Sequence, residues 1–208
     1  MKITKIQRQK NNPQRFNIYA DGAFFTGMGE EEILRLRLKE GDIIDKSVLL
    51  SSIREDEFLR ALNKAGEYIG GGRKTQKQAE DYLAKKGFDE EIIFRVMERL
   101  KEYRYIDDDE YARAYIQQNA VKGGQAIRYS LMRKGVAKEI IDKTLSERDE
   151  NAEIEGALKA GRAYLKGRSF KDMRDARAKL FQALARRGFD YDIIGWAAES
   201  LLEEEGEF

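Results

Sequence analysis

Apolar residues recur along most of this chain at spacings of three and four, the signature of helices that bury one face. The clearest stripes are Ile92, Ile93, Val96, Met97 and Leu100, and Ile193, Ile194, Ala197, Ala198, Leu201 and Leu202. A phrase joins these stripes to the helices before them. It reads Leu83-Ala-Lys-Lys-Gly87-Phe-Asp-Glu-Glu-Ile-Ile93, then Leu131-Met-Arg-Lys-Gly135-Val-Ala-Lys-Glu-Ile-Ile141, then Leu184-Ala-Arg-Arg-Gly188-Phe-Asp-Tyr-Asp-Ile-Ile194. Gly135 stands 48 positions after Gly87, and Gly188 stands 53 after Gly135, a period in the range of helical repeats. Each copy predicts a helix closed by glycine and followed by another helix. Gly87, Gly135 and Gly188 are thus expected helix C-caps, in a left-handed conformation that costs a residue with a side chain ~1–2 kcal/mol. The middle copy is the most complete: an acidic start at Asp107, a helix, the Gly123-Gly124 turn, a second helix to Gly135 and a third helix.

The first fifty or so residues follow another period. Ile3 to Ile6 and Phe16 to Tyr19 alternate apolar and polar positions, as half-exposed strands do. Asp21-Gly22 then predicts a tight hairpin into Ala23–Thr26. Glu30 to Leu38 reads as a short helix carrying Ile33, Leu34, Leu36 and Leu38 and ended by Gly41. Asp45 or Ser47, Thr75 and Asp89 are expected N-caps of the helices that follow. The fold class is mainly α: three tandem three-helix repeats in an elongated array, behind a small N-terminal α+β extension. The expected domains are 1–58 for the extension, 59–106, 107–149, and 150–208 with an acidic tail at Glu203-Glu204-Glu205.

Composition narrows the chemistry. The 208 residues include 39 basic and 38 acidic side chains, so the strongly basic balance of a dedicated nucleic-acid binder is absent. No cysteine and no histidine occur, which removes disulfides, thiol nucleophiles, and thiolate or imidazole metal ligands. No apolar run is long enough for a membrane span, and no signal-peptide core is visible, so a cytoplasmic protein is expected. A single proline permits long helices.

Few residues offer chemistry. Asp107-Asp108-Asp109-Glu110 resembles a magnesium site, but consecutive side chains diverge and the run suits a helix N-terminus better. The glycine run from Gly66 to Thr75 lacks the spacing of a phosphate-binding loop and reads as a turn between helices. Tyr68, Tyr103, Tyr105, Tyr111, Tyr115 and Trp196 could stack on bases, yet their helical spacing favours packing. The pairs Lys85-Lys86, Arg133-Lys134 and Arg186-Arg187 stand out. One cation per helix end answers the helix dipole, and the second invites another role. With Arg73, Lys74, Lys77 and Arg168 they are the candidate residues for binding phosphates or an acidic partner. No nucleophile–base set is present, so no enzyme, no metal and no cofactor are expected.

The middle copy, from Tyr105-Ile-Asp-Asp-Asp-Glu-Tyr-Ala112 through Gly123, Ile127, Leu131, Lys134-Gly135-Val136 and Ile140-Ile141, closely resembles the RecX family of bacterial regulatory proteins. The flanking Leu-x-basic-basic-Gly-Phe phrases at Gly87 and Gly188 are similar to that family's tandem three-helix repeats. The Arg15-Phe-x-Ile-Tyr-x-Asp-Gly22 segment is similar to its strand-bearing extension. A longer third repeat, with extra residues from Gly161 to Phe170, and the acidic tail are departures. The resemblance implies a non-enzymatic regulator, most simply an inhibitor, of the recombinase RecA. It would bind the RecA filament on single-stranded DNA and modulate ATP hydrolysis, strand exchange, coprotease activity and filament growth. A monomer is expected, with weak direct DNA contact left open. The alternative is a helical-repeat protein that binds DNA directly, without RecA.

Overall fold

The computed structural model describes residues 1–204; Glu205, the last of the acidic tail residues named above, lies outside them. Contacts divide the chain into two compact units, residues 1–72 with 79–103, and residues 73–78 with 104 onward.

The first unit opens with β1 (Ile3–Arg8), β2 (Arg15–Ala20) and β3 (Ala23–Gly29), an antiparallel sheet in the order β1-β2-β3. Asp21 and Gly22 turn β2 into β3 with φ of 50° and 86°, the two positive values a tight hairpin uses. One face of the sheet buries Ile3, Ile18 and Met28 against Leu38 and Leu49. Helix α1 (Glu30–Leu36) follows. It ends at Arg37, not at Gly41 as the sequence suggested. Arg37 takes φ 50°, its N–H bonds to the Leu34 carbonyl, and the Leu38 N–H reaches back to Ile33. That closure drops Leu38 into the apolar cluster, whereas Leu34, expected on the buried stripe, is 69% exposed.

Helix α2 (Lys46–Gly70) is 25 residues long and is capped by Asp45, whose carboxylate accepts the Ser47 N–H. It runs unbroken through residues 58 and 59. Arg15 and Asp56 fasten the sheet to it with a 2.9 Å ion pair, both side chains largely buried. Asp56 also accepts the Gly29 N–H at 3.0 Å, and Arg15 donates to the Gly27 carbonyl at 2.8 Å, so neither charge is left unanswered. Helix α4 (Glu90–Glu102) packs along α2 with Ile92, Ile93, Val96, Met97 and Leu100 buried. Asp89 caps it.

In the second unit, α5 (Asp108–Gln118), α6 (Gly124–Arg133) and α7 (Lys138–Ser146) enclose Ala112, Ile116, Ile127, Leu131, Val136 and Ile141. Helices α8 (Glu150–Leu165), α9 (Met173–Arg186) and α10 (Tyr191–Glu204) repeat the arrangement around Leu180, Leu184, Phe189, Ile194 and Leu201. The extra residues of this last group lengthen α8 and continue into a turn at Gly167, φ 71°. Gly161 lies inside α8, where a side chain would strike Leu201. Helix α3 (Gln76–Lys85) begins in the second unit, and its residues from 79 onward belong to the first. Among the described residues no helix is long and apolar enough to cross a membrane.

Candidate partner-binding surface

The basic-basic-Gly turns are the natural starting point. Gly87, Gly135 and Gly188 have φ of 85°, 81° and 80°, and each directly follows the last turn of its helix. In the second unit two of these turns meet the start of an earlier helix. The Thr75 hydroxyl, at the head of α3, donates to the Lys134 carbonyl at 2.6 Å. The Gly135 Cα rests on Lys77, so a methyl group there would strike the Lys77 Cβ and Cγ. One repeat later, the Gly123 N–H donates to the Arg187 carbonyl at 3.0 Å, and the Gln125 N–H to the Gly188 carbonyl at 3.1 Å. Gly188 presses on Ala126. At the Gly188 joint the carbonyls of one helix end satisfy orphan N–H groups of another helix start, and at the Gly135 joint a hydroxyl makes the contact; in both the dipoles meet head to tail.

A carboxylate completes each joint. Asp108 accepts the Gln76 N–H at 2.8 Å, and Glu153 accepts the Gly124 N–H at 2.8 Å. Glu153 also pairs with Arg148, whose side chain is only 5% exposed and donates to the Ala120 and Lys122 carbonyls. The acidic run is consumed in this way. Asp107 caps α5 through the Glu110 N–H, Asp108 caps α3, Asp109 pairs with Arg113 and Lys143, and Glu110 pairs with Arg73. Lys143 hydrogen-bonding and the nearby Arg113 hold the Asp109 carboxyl below its ordinary range despite partial burial.

The side chains of the basic residues point away from these backbone roles. Among the described residues, no carboxylate pairs with Lys85, Lys86, Arg133, Lys134, Arg168, Arg186 or Arg187. Aromatic faces hold several of them instead. Lys86 lies over Tyr82, Arg133 over Tyr129, and Arg168 over Tyr164 at 4.2 Å. Lys134 is 5.6 Å from the Tyr115 ring centre and 6.0 Å from that of Tyr111. Lys122, absent from the candidates read in the sequence, is also 6.0 Å from the Tyr115 ring centre. The two tyrosine rings stack at 6.4 Å and, with Arg73, Ala114 and Gln118, line a surface pocket of ≈ 310 Å³. Arg73 and Lys134 are therefore brought together with Tyr111 and Tyr115. Lys74 and Lys77 flank the Thr75 joint, Lys77 through its stem. Lys85 and Lys86 belong to the first unit.

The aromatic residues divide. Tyr68 stacks on Tyr82 at 4.2 Å, and Tyr111 and Tyr115 are half-buried against the α5–α7 core, as packing residues are. Tyr103, Tyr105 and Trp196 are 60%, 69% and 51% exposed, contrary to the packing role their spacing suggested. Tyr103 and Tyr105 lie between α4 and α5, where the helical period no longer sets their direction. Trp196 sits on α10 one position before the buried pair Ala197 and Ala198.

Comparison with known proteins agrees along the chain. Family models match residues 1–45 (Regulatory protein RecX N-terminal domain), 61–100 (RecX, first three-helix domain), 107–145 (RecX, second three-helix domain) and 151–197 (RecX, third three-helix domain). A regulatory protein RecX of Clostridium perfringens (strain 13 / Type A) is 36% identical over 98% of both chains. One from Clostridioides difficile (strain 630) is 32% identical over 96% of this chain and 95% of that one. Among solved structures, a crystal structure of a regulatory protein RecX superposes with a TM-score of 0.67 and 25% identity, covering 95% of this chain and 98% of the other. RecX from Lactobacillus salivarius gives 0.63 at 25% identity, over 71% and 97%.

Proposed function

The chain belongs to the RecX family of regulatory proteins, and from that membership we propose that it regulates the RecA recombinase by binding its filament on single-stranded DNA. The observation that carries the reading is the match to regulatory relatives over 98% of the chain. The site chemistry supports it. Among the described residues the basic pairs have no carboxylate partners, while Arg95, Arg113, Lys143 and Lys179 are all paired within the fold. Cations left unpaired beside paired ones are available to a phosphate backbone or an acidic protein surface. Binding along the filament would slow ATP hydrolysis, strand exchange, coprotease activity and filament growth without any catalytic step by this protein. It would act in the cytoplasm as a monomer. The test is the rate of ATP hydrolysis by RecA on single-stranded DNA with and without the chain. A falling rate is expected as the protein approaches stoichiometry with RecA, and an unchanged rate overturns the proposal.

A second reading has its own observation. The Tyr111–Tyr115 stack with Lys122 and Lys134 about it has the parts of a single-strand platform, a ring face and cations for the flanking phosphates. Direct DNA binding without RecA would then show a steep loss of affinity with rising salt. Retention of labelled single-stranded DNA by the chain alone separates the two readings.

A further inference from the structure

The two joints of the second unit share one design, and the first unit carries a third copy of the turn. Lys134-Gly135 and Arg187-Gly188 each receive a helix N-terminus. Lys86-Gly87 has the same sequence phrase and the same left-handed glycine, yet nothing lies within 4 Å of where a Gly87 side chain would begin. Among the described residues, no donor reaches the Lys86 or Gly87 carbonyl. Both residues are exposed. The turn also borders a groove of ≈ 730 Å³ lined by Leu34, Leu59, Lys86, Phe88 and Glu67 among others. Leu34 and Leu59 are open to solvent there. Glu67, at present 2.7 Å from Lys64, brings to this groove a carboxylate from α2, as Asp108 and Glu153 bring one to the internal joints.

We propose that the Lys86-Gly87 turn is an open joint that docks the N-terminus of a helix from the protein partner. The internal joints specify the chemistry of that helix. Its first turn must offer uncapped N–H or hydroxyl donors, as Gly123, Gln125 and Thr75 do, and must keep a small residue where the glycine lands, as Ala126 does. Arg60, Lys64 and Lys86 line the groove together with Glu30, Glu31, Glu32, Asp56 and Glu67, so charge alone does not select the partner, and the donors and the small residue of its first turn do.

A second copy of this chain is a poorer occupant. The start of α9 is the matching end within the sequence, but Asp172 already accepts the Asp175 N–H there at 2.8 Å, and Asp175 accepts the Lys171 N–H and pairs with Lys179. Its third helical position is the charged Asp175, where the internal joint keeps the small Ala126 for the glycine to land on. The partner helix is therefore foreign. Its identity rests on the RecA reading above; its chemistry rests on the two internal joints.

The test uses the full chain and RecA filaments on single-stranded DNA, with binding measured directly by co-sedimentation. Asn tolerates the left-handed conformation, and the open space at Gly87 leaves room for it, so Gly87→Asn is expected to keep the parent's circular dichroism and melting midpoint. Filament binding should weaken tenfold or more. Equal binding by a folded Gly87→Asn overturns the open joint while leaving the RecA reading in place. No binding by the parent chain overturns the RecA reading and this proposal with it. A second measurement does not depend on that variant. The chain has no cysteine, so Lys86→Cys can carry a single photo-cross-linker. Cross-links confined to the first turn of one partner helix are the expected result, and cross-links elsewhere, or none from a bound complex, overturn the proposal.

Discussion

Asp109 and the three turn glycines show what single residues contribute. Lys143 donates to Asp109 at 2.9 Å and Arg113 pairs with it ionically at 2.7 Å, and the Asp109 carboxyl is held below the ordinary range chiefly by the Lys143 hydrogen bond. A carboxyl with a depressed folded pKa contributes stability above its unfolded value of about 3.9 and loses it as pH falls through the folded value. Asp109→Asn is therefore expected to lower the urea midpoint at neutral pH, and the gap from the parent should close as both are titrated below the ordinary carboxylate range. A gap that persists in acid would assign the effect to packing instead. The glycines give a graded series. Gly87→Ala meets open space and should cost only the left-handed penalty of ~1–2 kcal/mol. Gly135→Ala adds a collision with the Lys77 stem, and Gly188→Ala a collision with Ala126 backbone, so each should cost a further ~1–3 kcal/mol. Equal urea midpoints for Gly87→Ala and Gly135→Ala would show that the Gly135 joint relaxes at no cost.

Among the elements, the helices themselves were legible from the chain. Their apolar period, the caps at Asp45, Thr75 and Asp89, and the glycine stops are all local signals. The joints between repeats were not. They are made by the carbonyls of Lys134, Arg187 and Gly188, and a carbonyl leaves no mark on residue identity. The left-handed Arg37 was equally silent, because the burial of Leu38 against the sheet sets it rather than any preference of arginine. In the candidate site, the basic pairs were visible by repetition, whereas of the rings beneath the candidate cations Tyr111 and Tyr115 were read as packing and Tyr82, Tyr129 and Tyr164 were not singled out. The half-buried pair Tyr111 and Tyr115 serves both ends, one face on the core and one under Lys134. Arg148 was not singled out at all, since a lone arginine in a charged chain carries no signal. It is nevertheless the side chain that ties the Ala120–Lys122 loop to Glu153 and so to the start of α6. Arg148→Met should cost ~3 kcal/mol or more, because the partly buried Glu153 and two carbonyls lose a charged partner that is itself buried. Glu153→Gln, which keeps an acceptor for the Gly124 N–H, should cost less than Glu153→Ala. If thermal melts place Arg148→Met within a degree or two of the parent, the joint does not depend on this ion pair.

For the whole molecule, the question is whether unpaired cations serve the fold or a partner. Arg133 and Lys134 answer it most sharply, because their backbone and side-chain roles are separable. The backbone of Lys134 receives Thr75, a contact that any residue type could make. The side chains lie over Tyr129, Tyr111 and Tyr115 near a helix C-terminus, so the fold gains a dipole contribution of ~0.3–1 kcal/mol and a cation–π contribution of ~0.5–1 kcal/mol at most exposed sites. Replacing both residues by Gln removes those contributions and leaves the Thr75 joint intact. If the side chains serve only the fold, the double variant melts slightly earlier and inhibits RecA ATPase as well as the parent. If they contact the filament, inhibition at equal protein concentration weakens tenfold or more, about 1.4 kcal/mol, with the circular dichroism unchanged. The same variant assayed across a salt series locates the contact. Binding lost together with the salt dependence assigns the two cations to DNA phosphates, and binding lost with the salt slope retained assigns them to an acidic surface of the protein. We expect the tenfold loss, since a fold that pairs Arg113, Lys143 and Arg148 internally leaves Arg133 and Lys134 without carboxylates on the same helical group.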